Sequence, residues 1–401
     1  MGALGKRLAG ALTGLIFAIP AAAAPAPGGV YTIIGAEFQN QYAITAQALQ
    51  SPGVDGLLIH LRWNQISTGL EQYDWTMLDN AVQLATTAHK RFEIGIVTGA
   101  AMPSWITDAS PAGLGAQHAT FSFDAVQGQG CTTFTMAAPY DPAYLAAFDD
   151  LLRQLAAHLR STGAFPKLAM LKLDGMTTTT DELRLPAVAG CSSDPVQLWQ
   201  GLGYTSTKMR AAWNTMLQSY LHYFPQKAFN IGFIGFNAFP GIDAKGRAAA
   251  TPEIAKAWSS QFGKTLISDA SAAMPGRLAV GFDSLTLNPT TNATSYKHYR
   301  AKFLVDAAAA NVRLGWQTNE LLGIYPGGGA ACGGADPGDA IACTSAREFR
   351  AMLYRGLYPK HQGGTPPSMQ GVYLELFPQN IVAYPEAVRA AHRHLSAWTS
   401  N

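Results

Sequence analysis

The sequence predicts a (β/α)8 barrel, in which eight parallel strands form a closed ring surrounded by helices. Two observations support this fold class. Eight short apolar runs alternate along the chain with longer segments in which apolar residues recur at helical spacing. Each short run is apolar through most of its length, as is typical of parallel strands that are buried on both faces. No domain-boundary linker or internal repeat interrupts the pattern, so we expect one domain.

The expected strands are separated by longer segments, several of which have helical spacing. The strands are predicted at 30–38, 56–63, 92–99, 168–174, 229–236, 277–285, 312–318 and 371–377. Examples of predicted helices are 73–90, 143–159, 207–224, 295–311 and 386–398. A doubly wound open sheet is the alternative fold. That fold is expected to carry a glycine-rich phosphate loop after its first strand, and GAEFQNQ has no such pattern.

Two of the strand-to-helix connections are unusually long. Residues 99–140 follow the third strand, and residues 174–205 follow the fourth strand. In a barrel these connections build the active-site face. Long loops in compact domains are commonly functional or disordered. We therefore expect these two loops to form much of the functional site.

The composition describes a compact globular protein with little net charge. Of its 401 residues, 48% are hydrophobic and 13% are charged, and the mean hydropathy is +0.04. This composition argues against disorder, which requires few apolar groups and a high net charge. The formal charge is +2 and no cluster of Lys or Arg stands out, so we do not expect nucleic-acid binding.

The N-terminal segment differs from the rest. Lys6 and Arg7 precede the apolar run LAGALTGLIFAIPAAAA, which ends in small residues. This order is typical of a secretory signal peptide, predicted at 1–24 with a mature chain at 25–401. An uncleaved membrane anchor is the alternative, but the run is short and Pro20 interrupts it. We expect a secreted or periplasmic protein with no membrane attachment after cleavage.

The four cysteines fit an oxidising compartment and are expected to form two disulfides. Cys332 and Cys343 lie close together in one Gly/Asp-rich loop, which favours a local bridge. Cys131 and Cys191 would then connect the two long loops. Four cysteines allow three pairings. A zinc site is not expected, because there is no CxxC and no histidine pair at ligand spacing.

Carboxylates, amides and tryptophans dominate the positions at the predicted strand ends. They include Glu37, Arg62, Trp63, Asn64, Trp105, Asp174, Asp181, Glu182, Asp283, Gln317, Asn319 and Glu320, and Glu375 falls within the eighth strand. No G-x-S-x-G, H-E-x-x-H or Walker motif is present. Paired carboxylates serve glycoside cleavage, in which one acid protonates the leaving oxygen and the other attacks or activates water. Tryptophan faces can stack on sugar rings, and amides can bind hydroxyl groups.

One segment resembles a known group of enzymes. RWNQISTGLEQYDWTMLDNAV, at 62–82, is similar to the segment after the second strand in retaining (β/α)8 glycoside hydrolases of clan A, such as β-galactosidases and endo-glucanases. IVTGAAMPSWI, at 96–106, resembles their third strand, where a Pro-x-Trp closes the site. The resemblance implies an acid/base glutamate after the fourth strand and a nucleophile after the seventh. By position these would be Glu182 and Glu320.

The sequence departs from that pattern at one place. The group usually has Asn directly before its acid/base glutamate, close to the strand end, whereas Asp181 precedes Glu182 several residues beyond the strand. The Asn–Glu pair occurs instead at Asn319–Glu320. Asp174 is therefore an alternative acid/base. Exchanged roles for the two glutamates, or an inverting geometry, remain open.

The sequence thus predicts a secreted glycoside hydrolase that cleaves a β-glycosidic bond by double displacement without a cofactor or metal. Its partner is a carbohydrate substrate, contacted by Arg62, Trp63, Asn64, Trp105, Trp316, Gln317 and Asn319. A carbohydrate-binding barrel without catalysis is the second hypothesis, motivated by the displaced Glu182. A third is a hydrolase or lyase with a metal on Asp174, Asp181 and Glu375. For Glu37, Glu375 and His60 a structural role is the simplest interpretation.

Overall fold

The computed structural model describes part of the chain. The described residues are 28–35, 41–123, 131–187, 191–233, 238–285, 312–318, 331–333, 341–343, 345–357 and 371–399. The signal peptide predicted at 1–24 and the helix predicted at 295–311 lie outside them. Among the described residues, no helix is long and apolar enough to cross a bilayer.

Eight parallel strands close into a barrel, which confirms the predicted fold class. They are β1 (Gly29–Gly35), β2 (Gly56–Arg62), β3 (Arg91–Val97), β4 (Leu168–Lys172), β5 (Ala228–Phe233), β6 (Leu278–Leu285), β7 (Arg313–Thr318) and β8 (Gly371–Leu376). Each strand pairs with its neighbours in sequence, and β1 closes the ring by pairing with β8. Every strand predicted from the sequence is present within a few residues of its expected bounds.

Helices lie between the strands and on the outside of the barrel. They are α1 (Tyr42–Leu49), α2 (Trp63–Ile66), α3 (Thr76–Thr87), α4 (Pro142–Ser161), α5 (Pro195–Gly201), α6 (Ser206–Tyr223), α7 (Pro252–Ala273), α8 (Ala346–Leu357), α9 (Pro378–Ala383) and α10 (Pro385–Thr399). Two 3-10 turns cover Ser104–Ile106 and Phe165–Lys167.

The start of α4 illustrates how local sequence sets these helices. The Asp141 side chain accepts a hydrogen bond from the Ala143 amide, and Pro142 occupies the first helical position. An N-cap carboxylate followed by proline is a strong helix start, because proline has no amide hydrogen to satisfy. Four of the five predicted helices are observed at or near their expected positions, in α3, α4, α6 and α10.

Three short antiparallel strand pairs lie in the connections within the described residues. Ser67–Gly69 pairs with Gln72–Tyr73, His118–Phe123 pairs with Thr132–Ala137, and Ala331–Gly333 pairs with Ile341–Ala342. The second pair is a hairpin within the long connection after β3. That connection therefore has secondary structure of its own, and it stands beside the connection after β4.

The buried apolar residues form two cores. The larger core fills the layer between the strands and the helices and includes Trp63, Trp199 and Trp213. The smaller core lies inside the barrel and includes Tyr31, Ile33, Leu58, Met170, Ala228, Ala279 and Tyr373. Residues two positions apart in a strand point to the same face. His60, Lys172, Asn230 and Glu375 each lie two positions after a residue of this inner core, so they also point into the barrel.

Candidate active site

The chain leaves β4 through a sharp turn at Gly175. Gly175 has φ +107°, in the left-handed region that favours glycine, and a Cβ there would lie 2.7 Å from Met216 Sδ. The Tyr144 hydroxyl donates to the Gly175 carbonyl at 2.8 Å. The Tyr220 hydroxyl accepts from the Asp174 amide at 2.9 Å. Aromatic side chains of α4 and α6 therefore hold this turn in place.

The segment after the turn folds back over the end of the barrel. We call residues 175–185 the β4 loop. Its Thr177 and Leu183 form an isolated antiparallel bridge. On one side the Thr178 carbonyl accepts from the Ala100 amide at 2.7 Å, just beyond β3. On the other side the Leu183 amide donates to the Gly232 carbonyl of β5 at 2.9 Å. The β4 loop is thus attached to both neighbours of β4.

The threonine run forms part of this attachment. The Thr98 amide donates to Thr177 Oγ1 at 2.8 Å, and the two threonine hydroxyls lie 2.9 Å apart. A Cβ on Gly99 would lie 2.2 Å from the Thr177 carbonyl oxygen, so the two backbones are in close contact. The threonines therefore lie against the end of β3 and do not form an open polar linker.

Asp181 extends from the β4 loop into the barrel. Its Oδ2 lies 2.9 Å from Lys172 Nζ and 2.9 Å from His60 Nε2. A Cβ on Gly95 of β3 would lie 2.6 Å from the same oxygen, so the absence of a side chain at Gly95 leaves the space for the carboxylate. Asp181 is 3% exposed and Lys172 is 1% exposed. The loop thus supplies an anion to the barrel interior.

The polar cluster continues across the barrel. Lys172 Nζ donates to Glu375 Oε2 of β8 at 3.0 Å. The Asn230 side-chain amide of β5 donates to Glu375 Oε1 at 3.1 Å and to Glu93 Oε1 of β3 at 3.3 Å. We call His60, Glu93, Lys172, Asp181, Asn230 and Glu375 the inner polar cluster. Five strands and the β4 loop contribute to it.

Environment separates the carboxyl groups into two kinds. Burial alone would raise the pKa of Asp181, but His60 and Lys172 outweigh it and hold that pKa well below its usual range. Burial, together with the charge of Glu375, raises the pKa of Glu93. Burial and the charge of Asp181 likewise raise the pKa of Asp174. Asp181 is therefore the ionised member, while Glu93 and Asp174 favour the neutral acid.

His60 is the titratable partner of Asp181. Burial lowers the pKa of His60, but the charge and hydrogen bond of Asp181 outweigh it, so the net shift is upward. The protonated imidazole and the Lys172 ammonium then face the carboxylates of Asp181 and Glu375. Buried charges require such partners. Burial raises the pKa of Glu375, and the Lys172 ammonium opposes that shift.

Glu182 is the predicted catalytic residue that the structure describes. It is 4% exposed and lies between Asp181, which points into the barrel, and Leu183, which packs in the outer core. Its Oε2 is shielded from solvent and has no hydrogen-bond partner within the described ranges. The carboxylate closest to the strand end, Asp174, accepts from the Ile96 amide at 2.6 Å through Oδ2.

The predicted substrate-binding residues fall into two groups. Arg62 and Gln317 are half-buried at the ends of β2 and β7, Asn64 is exposed, and Trp105 is half-buried in the 3-10 turn after β3. In the described part of the chain, Trp105 Nε1, Gln317 Oε1, Thr180 Oγ1 and Glu182 Oε2 are shielded from water without a hydrogen-bond partner. The residues that carry these four atoms lie near the end of a barrel strand or in the connection after one.

The other two tryptophans lie in the outer core. Trp63 has no exposed surface, and its ring makes edge contacts with Tyr144 and Phe148 at centroid distances of 5.6 and 5.9 Å. Trp316 is 2% exposed, and Gly356 and Gly371 pack closely against its ring. These two rings have no free face for a sugar in this structure, so we leave them out of the proposed site. Tryptophan is large and apolar, which explains why core packing claims it.

Several predicted residues lie outside the described residues. These are Glu37, Asn319 and Glu320, together with the side chains of Asp283 and Cys332. The separation between the carboxyl groups of Glu182 and Glu320 is therefore not tested. Glu375 lies mid-strand and 1% exposed, bonded to Lys172 and Asn230, as a structural carboxylate would be.

The two long connections are joined as the sequence predicts. Cys131 and Cys191 form a disulfide between the hairpin after β3 and the segment before α5. The Ser122 amide donates to Ser193 Oγ at 2.8 Å, and that hydroxyl donates back to the Ser122 carbonyl at 3.0 Å. Cys343 is also disulfide-bonded. Its predicted pairing with Cys332 stays a prediction.

The metal hypothesis meets a competing cation. Lys172 Nζ lies between Asp181 and Glu375, 2.9 and 3.0 Å from their oxygens, where a metal shared by these carboxylates would have to sit. Within the described residues, no group of three or more His, Cys, Asp or Glu side chains has the arrangement of a metal site. The Lys172 ammonium therefore occupies the place between Asp181 and Glu375 that a metal on the hypothesised ligand set of Asp174, Asp181 and Glu375 would need.

The sequence interpretation missed Lys172, Asn230 and the role of His60. A signal for Lys172 was present, since LAMLKLD places one cation inside an otherwise apolar strand. A lysine in a buried strand needs an anion, and Asp181 and Glu375 were available. The sequence did not indicate that a loop residue would supply one of them.

A surface groove lies elsewhere, between the base of the hairpin after β3 and the α5–α6 turn. It has a volume of about 560 Å³ and is lined by residues 115–118, residues 201–203 and Lys208. None of the predicted site residues lines it. The barrel end carries the polar chemistry described above, so this groove is not our candidate active site.

Comparisons with known proteins agree with the architecture. No protein-family model matches the chain, and no curated protein matches it. Among solved structures, the chain is similar to the catalytic domain of β-amylase from Paenibacillus polymyxa. The sequence identity is 12% and the TM-score is 0.57, covering 92% of this chain and 99% of that chain. At this identity the likeness shows the fold.

Proposed function

We propose that this protein is a secreted glycoside hydrolase that cleaves a β-glycosidic bond at the C-terminal end of its barrel. The observation that carries this proposal is the placement of Glu182. The β4 loop brings it to the end of the barrel, buried and with one carboxyl oxygen unpaired within the described residues. In (β/α)8 enzymes this end holds the active site.

The unpaired polar atoms around the barrel end support a polar ligand. A buried polar atom without a partner costs about 1–3 kcal/mol. Trp105 Nε1, Thr180 Oγ1, Glu182 Oε2 and Gln317 Oε1 lack a partner in the described part of the chain. Hydroxyl groups of a sugar, which both donate and accept, would satisfy donors and acceptors of this mixed kind. One solved structure similar to this chain is a β-amylase catalytic domain, which is consistent with the class.

The proposed mechanism uses two glutamates. Glu182 donates its proton to the leaving oxygen and then removes a proton from the attacking water. Glu320 attacks the anomeric carbon, which requires the two carboxyl groups to be about 5–5.5 Å apart. Arg62, Asn64, Gln317 and Asn319 position the substrate and nucleophile, and the Trp105 ring stacks on a sugar. No cofactor takes part in this scheme.

Asp174 is the alternative acid. Its pKa is raised by burial and by Asp181, which favours the protonated form that a general acid needs. Its Oδ1 also lacks a hydrogen-bond partner among the described residues, but its Oδ2 accepts from the Ile96 amide and the residue is 1% exposed, against 4% for Glu182. Glu182 is therefore the better candidate for direct contact with a glycosidic oxygen.

The test compares Glu182→Gln with the mature wild-type chain on nitrophenyl β-glycosides and on β-linked polysaccharides. We expect kcat to fall by about 10²–10⁴-fold, because general acid catalysis contributes about that much. The loss should be smaller for a dinitrophenyl glycoside, whose leaving group needs little protonation. Glu253→Gln, at an exposed glutamate in α7, is the matched control and should keep wild-type activity.

The outcomes separate the hypotheses. Wild-type activity in Glu182→Gln on every substrate would remove Glu182 from the mechanism, and the Asp174→Asn variant would then be measured in the same way. Saturable binding of an oligosaccharide without turnover by the wild-type protein would favour the carbohydrate-binding barrel. That second function rests on the placement of Glu182 beyond the strand end, which departs from the clan A pattern.

A further inference from the structure

Asp181 occupies an unusual place for a residue next to a proposed catalytic acid. It belongs to the β4 loop, yet its carboxylate lies inside the barrel, 2.9 Å from both Lys172 Nζ and His60 Nε2. These cations come from β4 and β2, so two walls of the barrel hold one loop side chain. An ion pair of this kind, shielded from water, keeps its partners in place far better than an exposed pair.

The backbone on either side of Asp181 is bonded to the barrel. The Thr178 carbonyl accepts from Ala100, and the Leu183 amide donates to Gly232. The Arg184 amide donates back to the Met176 carbonyl at 2.9 Å within the β4 loop. Among these contacts, the side chain of Asp181 is the ionic one. Glu182 follows it directly and so has its backbone position set by the same anchor.

The surroundings of Asp181 make this anchor dependent on charge. The groups that face it are His60 of β2, Gly95 of β3 and Lys172 of β4, and Glu375 of β8 shares the Lys172 ammonium. Asp174 and Glu93 also contribute to the local field, and both favour their neutral form. Asp181 is the ionised carboxylate that both His60 and Lys172 contact.

We propose that Asp181 is a positioning residue for Glu182: its carboxylate, held by Lys172 and His60 inside the barrel, fixes the β4 loop in the arrangement that presents Glu182 to substrate. The catalytic consequence rests on the proposed function. The structural part, that this ion pair orders the β4 loop, does not depend on it. In the proposed reaction Asp181 contacts no substrate atom and acts through its neighbour.

The first experiment uses Asp181→Asn, which keeps the shape of the side chain and removes its charge. We expect kcat to fall by about 10²-fold, the loss that a misplacement of about 1 Å in a catalytic group can cause. KM should change little, because the substrate-binding residues are untouched. Asp269→Asn is the matched control, since Asp269 pairs with Arg210 on the surface between α6 and α7 and its loss should leave kcat and KM unchanged.

Two readouts distinguish positioning from a general loss of structure. Amide hydrogen exchange at Leu183 and Arg184 should become faster in Asp181→Asn by a larger factor than exchange in α4 and α6. The pKa of His60, followed by NMR of its ring protons, should fall because its counter-ion is gone. Unchanged exchange at Leu183 together with an unchanged His60 pKa would overturn the proposal, whatever happens to kcat.

A second pair of variants covers the possibility that Asp181→Asn does not fold. His60→Gln keeps a hydrogen-bond donor near the position of Nε2, whereas His60→Leu removes it. We expect His60→Leu to show faster exchange at Leu183 and a lower kcat, and His60→Gln to recover most of both. Wild-type exchange in His60→Leu would overturn the role given to this contact.

The same measurements separate this proposal from the proposed function. If the wild-type protein cleaves none of the glycosides, the proposed function fails, and the exchange rates and the His60 pKa still decide whether Asp181 orders the β4 loop. If the wild-type protein is active and Asp181→Asn loosens the loop without lowering kcat, the proposed function stands and the positioning role is overturned.

Discussion

Lys172 is a cation in a strand whose residues are all buried, Leu168–Lys172. Two carboxylates neutralise it, one from the β4 loop and one from β8. A buried ion pair contributes little compared with apolar packing, but removing one partner leaves an uncompensated charge and costs about 3–5 kcal/mol. The contribution of Lys172 to the free energy of unfolding therefore depends on Asp181 and Glu375, and replacing either one alone should lower that free energy.

Among the carboxyl groups of the inner polar cluster, Glu93 has the weakest hydrogen bonds to offset its burial. Its Oε1 accepts from Asn230 at 3.3 Å, and its Oε2 has no hydrogen-bond partner among the described residues. Burial and the nearby Glu375 raise its pKa. The folded protein therefore keeps a proton on Glu93 at a pH at which the unfolded chain has lost it.

Replacing Glu93 with Gln should change the pH dependence of stability. The unfolded pKa of Glu is about 4.3, and the folded pKa is higher. Over that window the folded state binds more protons, so the contribution of Glu93 to the free energy of unfolding falls as pH rises. We expect Glu93→Gln to increase the free energy of unfolding at pH 7 by on the order of 1 kcal/mol, because the amide needs no proton to stay neutral.

The measurement is urea unfolding at several values between pH 4 and pH 7. The advantage of Glu93→Gln should shrink toward pH 4, where the unfolded chain also carries the proton. Glu71→Gln, at an exposed turn residue, should follow the wild-type curve at every pH. A Glu93→Gln variant that is less stable than wild type at pH 7 would show that Glu93 is ionised and paired in the folded protein.

At the scale of elements, the two long connections form one unit. The hairpin His118–Phe123 with Thr132–Ala137 follows β3, and the segment that leads to α5 follows the β4 loop. The Cys131–Cys191 disulfide and the Ser122–Ser193 hydrogen bonds join them. The Trp199 indole of α5 also donates to the Pro186 carbonyl at 2.7 Å, close to the end of the β4 loop.

Removing this disulfide with the Cys131→Ser/Cys191→Ser double substitution should lower stability. The bridge joins residues 60 apart in sequence, and closing a loop of that size in the unfolded chain stabilises the folded state by up to about 4 kcal/mol in the chain-entropy model. We expect a decrease of about 2–4 kcal/mol in the free energy of unfolding, measured by urea unfolding without reductant.

The double substitution is more informative than adding reductant, because Cys343 is also disulfide-bonded and would be reduced as well. Ser193→Ala serves as the companion variant. It removes the hydrogen bonds to Ser122 and should cost only about 1 kcal/mol. An unchanged free energy of unfolding in the double variant would mean that the unfolded chain already keeps these two loops together.

At the scale of the whole molecule, large and small residues share the barrel interior. The Tyr373 ring of β8 fills the space that a side chain at Gly315 of β7 would occupy, since a Cβ there would lie 1.7 Å from Tyr373 Cε1. Tyr31 similarly faces Gly56, where a Cβ would lie 2.5 Å from its ring. Two tyrosines thus close the inner apolar core, and neighbouring strands provide the glycines that admit them.

Gly315→Ala should therefore destabilise the barrel. The added methyl group overlaps a fully buried ring, and overpacking in a well-packed core costs about 1–3 kcal/mol or more. Thermal unfolding of the two proteins measures the effect. Gly201→Ala, the last residue of α5, is the matched control, because no atom lies within 4 Å of its added Cβ. A Gly315→Ala variant as stable as Gly201→Ala would contradict the tight packing of Tyr373.

The alternation of apolar runs was sufficient to predict the closed barrel, because buried parallel strands and amphipathic helices each leave a periodic pattern in the sequence. Side-chain caps mark the starts of α4, α5, α6 and α7. The Cys131–Cys191 pairing was also predictable, since Cys332 and Cys343 lie close together in one loop and leave Cys131 and Cys191, one in each long connection, as the other pair. The strands, helices and caps depend on local sequence, and the disulfide pairing depends on the small number of cysteines.

The interior of the site was not predictable in the same way. Trp63 and Trp316 carry the same ring as Trp105, and only the three-dimensional packing shows that the first two lie in the outer core. Asp181 and Glu182 are adjacent carboxylates in the sequence, yet one is paired inside the barrel and the other has an unpaired oxygen among the described residues. The path of the β4 loop decides these roles, and loop paths depend on contacts with distant residues.

The contact between Lys172 and Glu375 also constrains how the chain can be synthesised and folded. The two residues are 203 positions apart, and β8, which carries Glu375, also supplies the strand that closes the ring against β1. A nascent chain that ends before β8 has an open barrel and an interior lysine without this counter-ion. In such a fragment Lys172 would stay hydrated, and β4 could then not be buried. Release of the C-terminal segment from the ribosome therefore precedes stable closure, and truncation before β8 should leave an aggregation-prone chain without a folded half-barrel.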